Sequence, residues 1–208
     1  MLKIIPFTYN NDPDELLSNT YVIVDSDNNA LVVDPSKNND NLKNYLIKNN
    51  LNLKAILLTH GHYDHFSGVE RLLNEFKVDI YISFSDEYML DDAEANCSIY
   101  ISGAYTLNQK YNNYLERATL TLLNEEIEVI PTPYHTEGSV CLYLKDSNAL
   151  ISGDFLFCGC LGRCDLPNNA ARKLKESLEK VLCLPEETRI YPGHGPFTTI
   201  KAEKANNQ

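Results

Sequence analysis

Thr59-His60-Gly61-His62-Tyr63-Asp64-His65 follows directly on the apolar run Ala55 to Leu58, and it decides how the rest of the chain is understood. Four metal-capable side chains fall within six residues, too many to converge on one ion from so short a segment. In an extended loop His60 and His62 point to the same side. Asp64 and His65, near the start of a following helix, turn toward a second point a few ångströms away. The run therefore predicts two adjacent metal sites.

Outward from it, the remaining histidines, His135 and His194, also sit in or beside loops that follow strands. Thr132-Pro133-Tyr134-His135-Thr136-Glu137-Gly138-Ser139 follows one apolar run, Ser152-Gly153-Asp154 ends another, and Tyr191-Pro192-Gly193-His194-Gly195 ends a third. Each presents a metal-capable side chain between Gly or Pro turns, which let the backbone approach a crowded site.

Short runs rich in Val, Ile, Leu and Tyr predict strands at Lys3 to Pro6, Thr20 to Val24, Ala30 to Val33, Ala55 to Leu58, Val78 to Ile82, Thr119 to Leu122, Ile127 to Ile130, Val140 to Leu144, Ala149 to Ser152 and Arg189 to Tyr191. Leu42, Tyr45 and Leu46 within Asn41 to Asn50, and Val69, Leu72, Leu73 and Phe76, recur at helical spacing. A further helix is expected near Ala170 to Val181. Strands with helices in both halves predict an α/β layered sandwich, two sheets with helices on their outer faces. No boundary or repeat divides the chain, so residues 1–208 are expected to form one domain. The stretch Asp86 to Tyr114, acidic and then tyrosine-rich without a sustained period, is open to two readings: a lid, or an irregular connection packed on its own domain.

The 208 residues carry 43% hydrophobic and 10% aromatic side chains, enough for a substantial core and against disorder. A net charge of −11 and the lack of a Lys/Arg-rich run argue against nucleic acid as a partner. No apolar run approaches the roughly 20 residues that span a bilayer. Pro6 and Asn10-Asn11-Asp12 come too early for a signal peptide. A cytoplasmic protein with no membrane partner is expected. Of the six cysteines, Cys158, Cys160 and Cys164 cluster as C-x-C-x-x-x-C, a spacing that matches no common zinc knuckle and reads as reduced thiols on a strand and its following loop.

The H-x-H-x-D-H run, the later single histidine, the G-D aspartate and the P-G-H-G histidine stand in the order found in the metallo-β-lactamase superfamily, and the chain resembles its glyoxalase II-like hydrolases over nearly its whole length. Asn19-Thr20-Tyr21 resembles the N-x-Y opening of the family's first hairpin, and Val33-Asp34-Pro35 its D-P-G turn, with Ser36 in place of glycine. The resemblance implies an αββα sandwich of two mixed sheets. It implies that His60, His62 and His135 bind one metal and Asp64, His65 and His194 the second, with Asp154 and a water bridging both, and that Asp64 and Asp154 are the catalytic carboxylates. Two divalent ions are expected, zinc first, although carboxylate oxygens also accept iron or manganese.

Two such ions, offset by Asp64, Asp154 and a hydroxide, leave roughly one net positive charge to draw an anionic substrate. A thiolate leaves without obligatory protonation, so a small anionic thioester suits the site, and the resemblance implies S-lactoylglutathione as the substrate to test. Gly162-Arg163-Cys164-Asp165-Leu166-Pro167 resembles the G-R-x-D-x-P loop of short members. Arg163 is expected either to bind a substrate carboxylate or to form a structural ion pair with Asp165 or another acid. Three departures bear on substrate range: the helical extension that helps longer glyoxalase II enzymes hold glutathione is not found after His194, Tyr134 replaces a glycine, and Glu137 replaces a proline. The last two are expected to narrow the cleft or add negative charge. The rivals are a persulfide dioxygenase with one iron, a nuclease disfavoured by charge, and a non-catalytic metal-binding module disfavoured by the complete ligand set.

Overall fold

The computed structural model describes residues 2–8, 18–36, 40–114, 119–166 and 168–206. The first half supplies β1 (Lys3–Phe7), β2 (Thr20–Val24), β3 (Asn29–Val33), β4 (Asn52–Leu57), β5 (Asp79–Ile82) and β6 (Asn112–Asn113), hydrogen-bonded in chain order into one sheet. The second half supplies β7 (Thr119–Leu120), β8 (Ile127–Pro131), β9 (Val140–Leu144), β10 (Ala149–Gly153), a small hairpin of β11 (Leu156–Phe157) and β12 (Cys160–Leu161), then β13 (Arg189–Pro192) and β14 (Thr198–Thr199). These form a second sheet in the order β14-β13-β10-β9-β8-β7, with the hairpin apart. Both sheets are mixed: β3, β4 and β5 run parallel beside the antiparallel β1–β2–β3 meander, and β10 runs parallel to β13 but antiparallel to β9.

The central strands β2, β3, β9 and β10 are buried on both faces, which is why they read as near-continuous apolar runs. Along β2 to β4, Val22, Val32 and Ile56 face the helices, whereas Tyr21, Ile23, Leu31, Val33 and Leu57 face the other sheet, where they meet Ile127, Leu142 and Ile151. The outer face of the second sheet, including Cys141, Leu150 and Ile190, packs on Val181 and Ile200. The order is helix, sheet, sheet, helix.

On the first side lie α1 (Asp40–Lys48), α2 (Tyr63–Phe66) and α3 (Val69–Leu73). In α1 Leu42 and Leu46 bury one turn apart, and Asp40 in the first turn and Lys48 in the last match the helix dipole. A short α4 (Ser98–Ile101) lies in the Asp86 to Tyr114 stretch; α5 (Leu174–Leu182) and α6 (Ile200–Asn206) cover the second sheet. The helix expected from Ala170 begins later, after a 3-10 turn at Ala171–Lys173. The Ala170 amide donates to the Tyr134 carbonyl at 2.8 Å, which holds the chain extended there and delays the helix. Among the described residues no helix is long and apolar enough to cross a membrane.

The directions of the strands place the site. The carboxyl ends of β3, β4, β8, β10 and β13 all open on one edge of the sandwich, and ligand loops collect there. The two sheets are stitched at that edge by the Val140 amide to the Thr59 carbonyl at 2.9 Å and the Asn19 amide to the Gly193 carbonyl at 2.6 Å.

Candidate metal centre

Three histidines converge from the two sheets. His62 Nδ1 stands 3.1 Å from His60 Nε2 and 2.8 Å from His135 Nε2. Donors bonded to a tetrahedral ion at about 2.0–2.1 Å lie about 3.3 Å apart, so the spacing fits one ion. All three rings are buried. Their tautomers are set from behind: His135 Nδ1 donates to the Arg163 carbonyl at 2.6 Å, and His60 Nδ1 faces the Thr59 hydroxyl at 3.2 Å, which in turn donates to Asp34 at 2.7 Å. His60 and His135 thus turn their Nε2 lone pairs inward, where His62 presents its Nδ1.

A second group gathers beside it. His194 Nε2 lies 3.1 Å from Asp64 Oδ2, and His65 Nε2 lies 3.6 Å from the same oxygen. Asp154 stands between the groups: Oδ1 is 3.2 Å from His65 Nε2, and Oδ2 is 3.5 Å from His194 Nε2 and 3.6 Å from His135 Nε2. His65 is oriented by Asp34, whose Oδ2 meets its Nδ1 at 2.9 Å. His65 Nε2 and Asp154 Oδ1 are buried without a hydrogen-bond partner among the described residues, an arrangement that costs stability unless a cation occupies the space they face. Among the described residues, the side chains that gather closely enough to share an ion are those of His60, His62, His65, His135, His194, Asp64 and Asp154.

The electrostatics of the two groups differ. Burial, reinforced by the neighbouring imidazoles, holds His60 well below the ordinary histidine range and His62 down at about 3, so both rings are neutral at neutral pH. Burial also opposes charge on His65 and His194. There the carboxylates outweigh it: Asp154, Asp64 and Asp34 hold His65 well above the usual range, and Asp154 and Asp64 raise His194. Burial opposes ionisation of Asp154 and Asp64, but the adjacent histidines prevail and keep both carboxyls below the ordinary range.

The N-x-Y opening explains the last ligand loop. Asn19 Nδ2 donates to the carbonyls of Pro192 and Gly195 at 3.0 and 3.1 Å, and the Tyr21 hydroxyl donates to the Pro192 carbonyl at 2.5 Å. Gly193 has no alternative in this loop, because a Cβ there would fall 2.1 Å from Asp154 Oδ1. Asp34, whose turn was recognised without a role, supports both groups. Asp86, whose buried carboxylate accepts from Gly61 in the first loop and from Thr136 and Gly138 in the second, was missed altogether, because these partners are distant in sequence.

Arg163 lies on the surface, paired through both nitrogens with Asp165 at 2.7 and 2.9 Å, while its carbonyl fixes His135; Pro167, at the end of that loop, lies outside the described residues, as do Asn10-Asn11-Asp12. Tyr134 does not narrow the cleft. Its ring turns into the helix-side core against Phe155, and the Glu137 charge is taken up by Arg172 at 2.6 Å. Cys158 and Cys160 are exposed free thiols at the tip of the β11–β12 hairpin, and Cys164 is a half-buried one in the loop beyond. The Asp86 to Tyr114 stretch packs on its own domain: Leu90 and Leu107 enter the helix-side core, and Tyr105 stacks near Tyr63 and Phe66.

Residues 13–194 match the family model of the metallo-beta-lactamase superfamily. The chain is 33% identical to the probable metallo-hydrolase YqgX of Bacillus subtilis, over 91% of this chain and 90% of that protein. It is 30% identical to the hydroxyacylglutathione hydrolase GloC of Haemophilus influenzae, over 99% and 96%. Among solved structures it is similar to the B3 metallo-beta-lactamase BLEG-1, with a TM-score of 0.88 and 34% identity over 100% of this chain and 98% of that one. TTHA1623, solved in a di-iron-bound form, gives a TM-score of 0.86 and 30% identity over 98% of both chains.

Proposed function

Since the chain belongs to the metallo-beta-lactamase superfamily and carries the His/Asp cluster of a metal-dependent hydrolase, we propose that it hydrolyses a small anionic hydroxyacyl thioester of the S-lactoylglutathione type at a dinuclear centre. His60, His62 and His135 hold one divalent ion, Asp64, His65 and His194 the second, and Asp154 is shared. The observation that carries this is the position of Asp154, with oxygens facing histidines of both groups. Zinc is the expected metal, with iron or manganese accepted by the same donors; the di-iron form of TTHA1623 supports the breadth of that choice. Bound divalent ions acidify water to a hydroxide nucleophile near neutral pH and polarise a substrate carbonyl.

The protein's own groups do the rest. The neutral imidazoles of His60 and His62 offer lone pairs without first losing a proton. Asp64 and Asp154, ionised in the buried centre, are the catalytic carboxylates. His194, 27% exposed with Phe157 edge-on at 5.9 Å, marks the side from which substrate arrives. No acid need protonate a departing thiolate, which favours a thioester over an amide. GloC, named for this activity and 30% identical over nearly the whole chain, supports the choice. The partner is thus a small anion and not nucleic acid, and the six cysteines suit a reducing cytoplasmic setting.

The test is turnover of S-lactoylglutathione by metal-loaded protein, beside nitrocefin and beside oxygen uptake with glutathione persulfide. Thioester hydrolysis that disappears in His62→Ala is expected. Oxygen consumption by a one-iron sample without hydrolysis would replace the proposal with a persulfide dioxygenase.

A further inference from the structure

The carboxylate of Asp86 lies in the loop after β5, fully buried and apart from the metal-capable cluster. Four donors reach its two oxygens. The Gly61 amide and the Thr136 hydroxyl donate to Oδ2 at 3.1 and 2.6 Å, and the Gly138 amide and Asn168 Nδ2 donate to Oδ1 at 2.8 and 2.9 Å. Gly61 sits between His60 and His62, and Thr136 directly follows His135. The contact is close enough to exclude a side chain at Gly138, where a Cβ would fall 2.5 Å from the Asp86 carboxyl. The two loops it joins come from different sheets, and between them they carry every member of the three-histidine group.

Ionised Asp86 suits this role because all four groups are donors and a carboxylate has about four acceptor positions. Burial raises its carboxyl above the ordinary range, and the same four hydrogen bonds oppose that rise without cancelling it. A buried charge is kept at such a place only where its donors are fixed, so the donors, and the loops behind them, are fixed in turn. From this geometry we infer that Asp86 is the positioning residue of the three-histidine group: it clamps the His60–His62 loop to the His135 loop at the spacing one ion requires. It touches neither the second group nor Asp154, so its effect is confined to one half of the centre. The inference rests on the dinuclear assignment and sharpens it.

Asp86→Asn keeps the shape but turns one acceptor into a donor, so one side of the clamp, Gly61 with Thr136 or Gly138 with Asn168, meets an N–H instead of an oxygen. The experiment is a zinc titration of metal-free protein in competition with a chromophoric chelator, after circular dichroism has shown that the variant is folded. Loss of an outer partner of this kind costs about 10- to 100-fold in metal affinity. That loss is expected for one of the two zinc equivalents, with the other close to wild type. Thr136→Val, which deletes the shortest of the four bonds together with the 2.7 Å contact between the Thr136 and Ser139 hydroxyls, is expected to weaken the same equivalent by less, and it decides the matter if Asp86→Asn does not fold. A merely structural Asp86 would lower the thermal midpoint and leave zinc affinity alone; folded variants that bind both equivalents within about twofold of wild type would overturn the inference. A wild-type protein that takes up a single ion would instead contradict the dinuclear assignment, and the variants would still report on the clamp at that ion.

Discussion

The two halves of the centre use similar side chains and opposite electrostatics. His60, His62 and His135 are packed ring against ring in a buried pocket, and burial, with the mutual repulsion of the imidazoles, keeps protons off His60 and His62. His65 and His194 are just as metal-capable, but Asp64 and Asp154 stand beside them and favour their protonated forms. The first half offers a cation the unprotonated rings of His60 and His62, the second the carboxylates of Asp64 and Asp154, whose neighbouring histidines hold protons. A cation entering the second half must displace protons that the carboxylates hold in its absence, whereas one entering the first half meets free lone pairs.

Asp154→Ala should break the comparison most completely, because that carboxylate faces both halves. Zinc content falls below two per chain and thioester hydrolysis drops to background, measured by elemental analysis and a rate assay on the same sample. Acidification should separate the halves next. Since His65 and His194 have raised proton affinities and His62 a lowered one, lowering the pH from 8 toward 5.5 protonates the second half first and weakens its zinc equivalent more steeply. Competition titrations across that range check the slopes; equal slopes would refute the distinction.

Smaller effects follow at the rim. Arg163→Ala should raise KM a few-fold with kcat unchanged if the guanidinium shares itself between Asp165 and a substrate carboxylate. An unaltered KM would assign Arg163 to its ion pair with Asp165 alone, a pair too exposed to matter much for stability. Tyr21→Phe is expected to have the smallest effect, costing about 1 kcal/mol in denaturant unfolding, because it removes one buried hydrogen bond while Asn19 still donates to the same Pro192 carbonyl.

The side chains that gather in the cluster were legible in the sequence because each follows a strand whose apolar run is easily seen, and because the Thr59 to His65 segment is dense in metal-capable donors. The sandwich was legible for the same reason, both faces of its strands being apolar. Asp86 was not, because its partners lie 25, 50, 52 and 82 residues away and nothing near it in sequence marks them. The β11–β12 hairpin was hidden by strands of two residues, too short to show a period. Tyr134 and Glu137 misled in the other direction: placed beside a ligand in sequence, one turns into the core and the other into an ion pair with Arg172.

Metal content measured by elemental analysis on wild-type protein and His62→Ala, both shown to be folded, tests the central claim most directly. Two ions per chain in the wild type and about one in the variant, with S-lactoylglutathione hydrolysis lost, is the result predicted. One ion in both, or hydrolysis undiminished in His62→Ala, would contradict it.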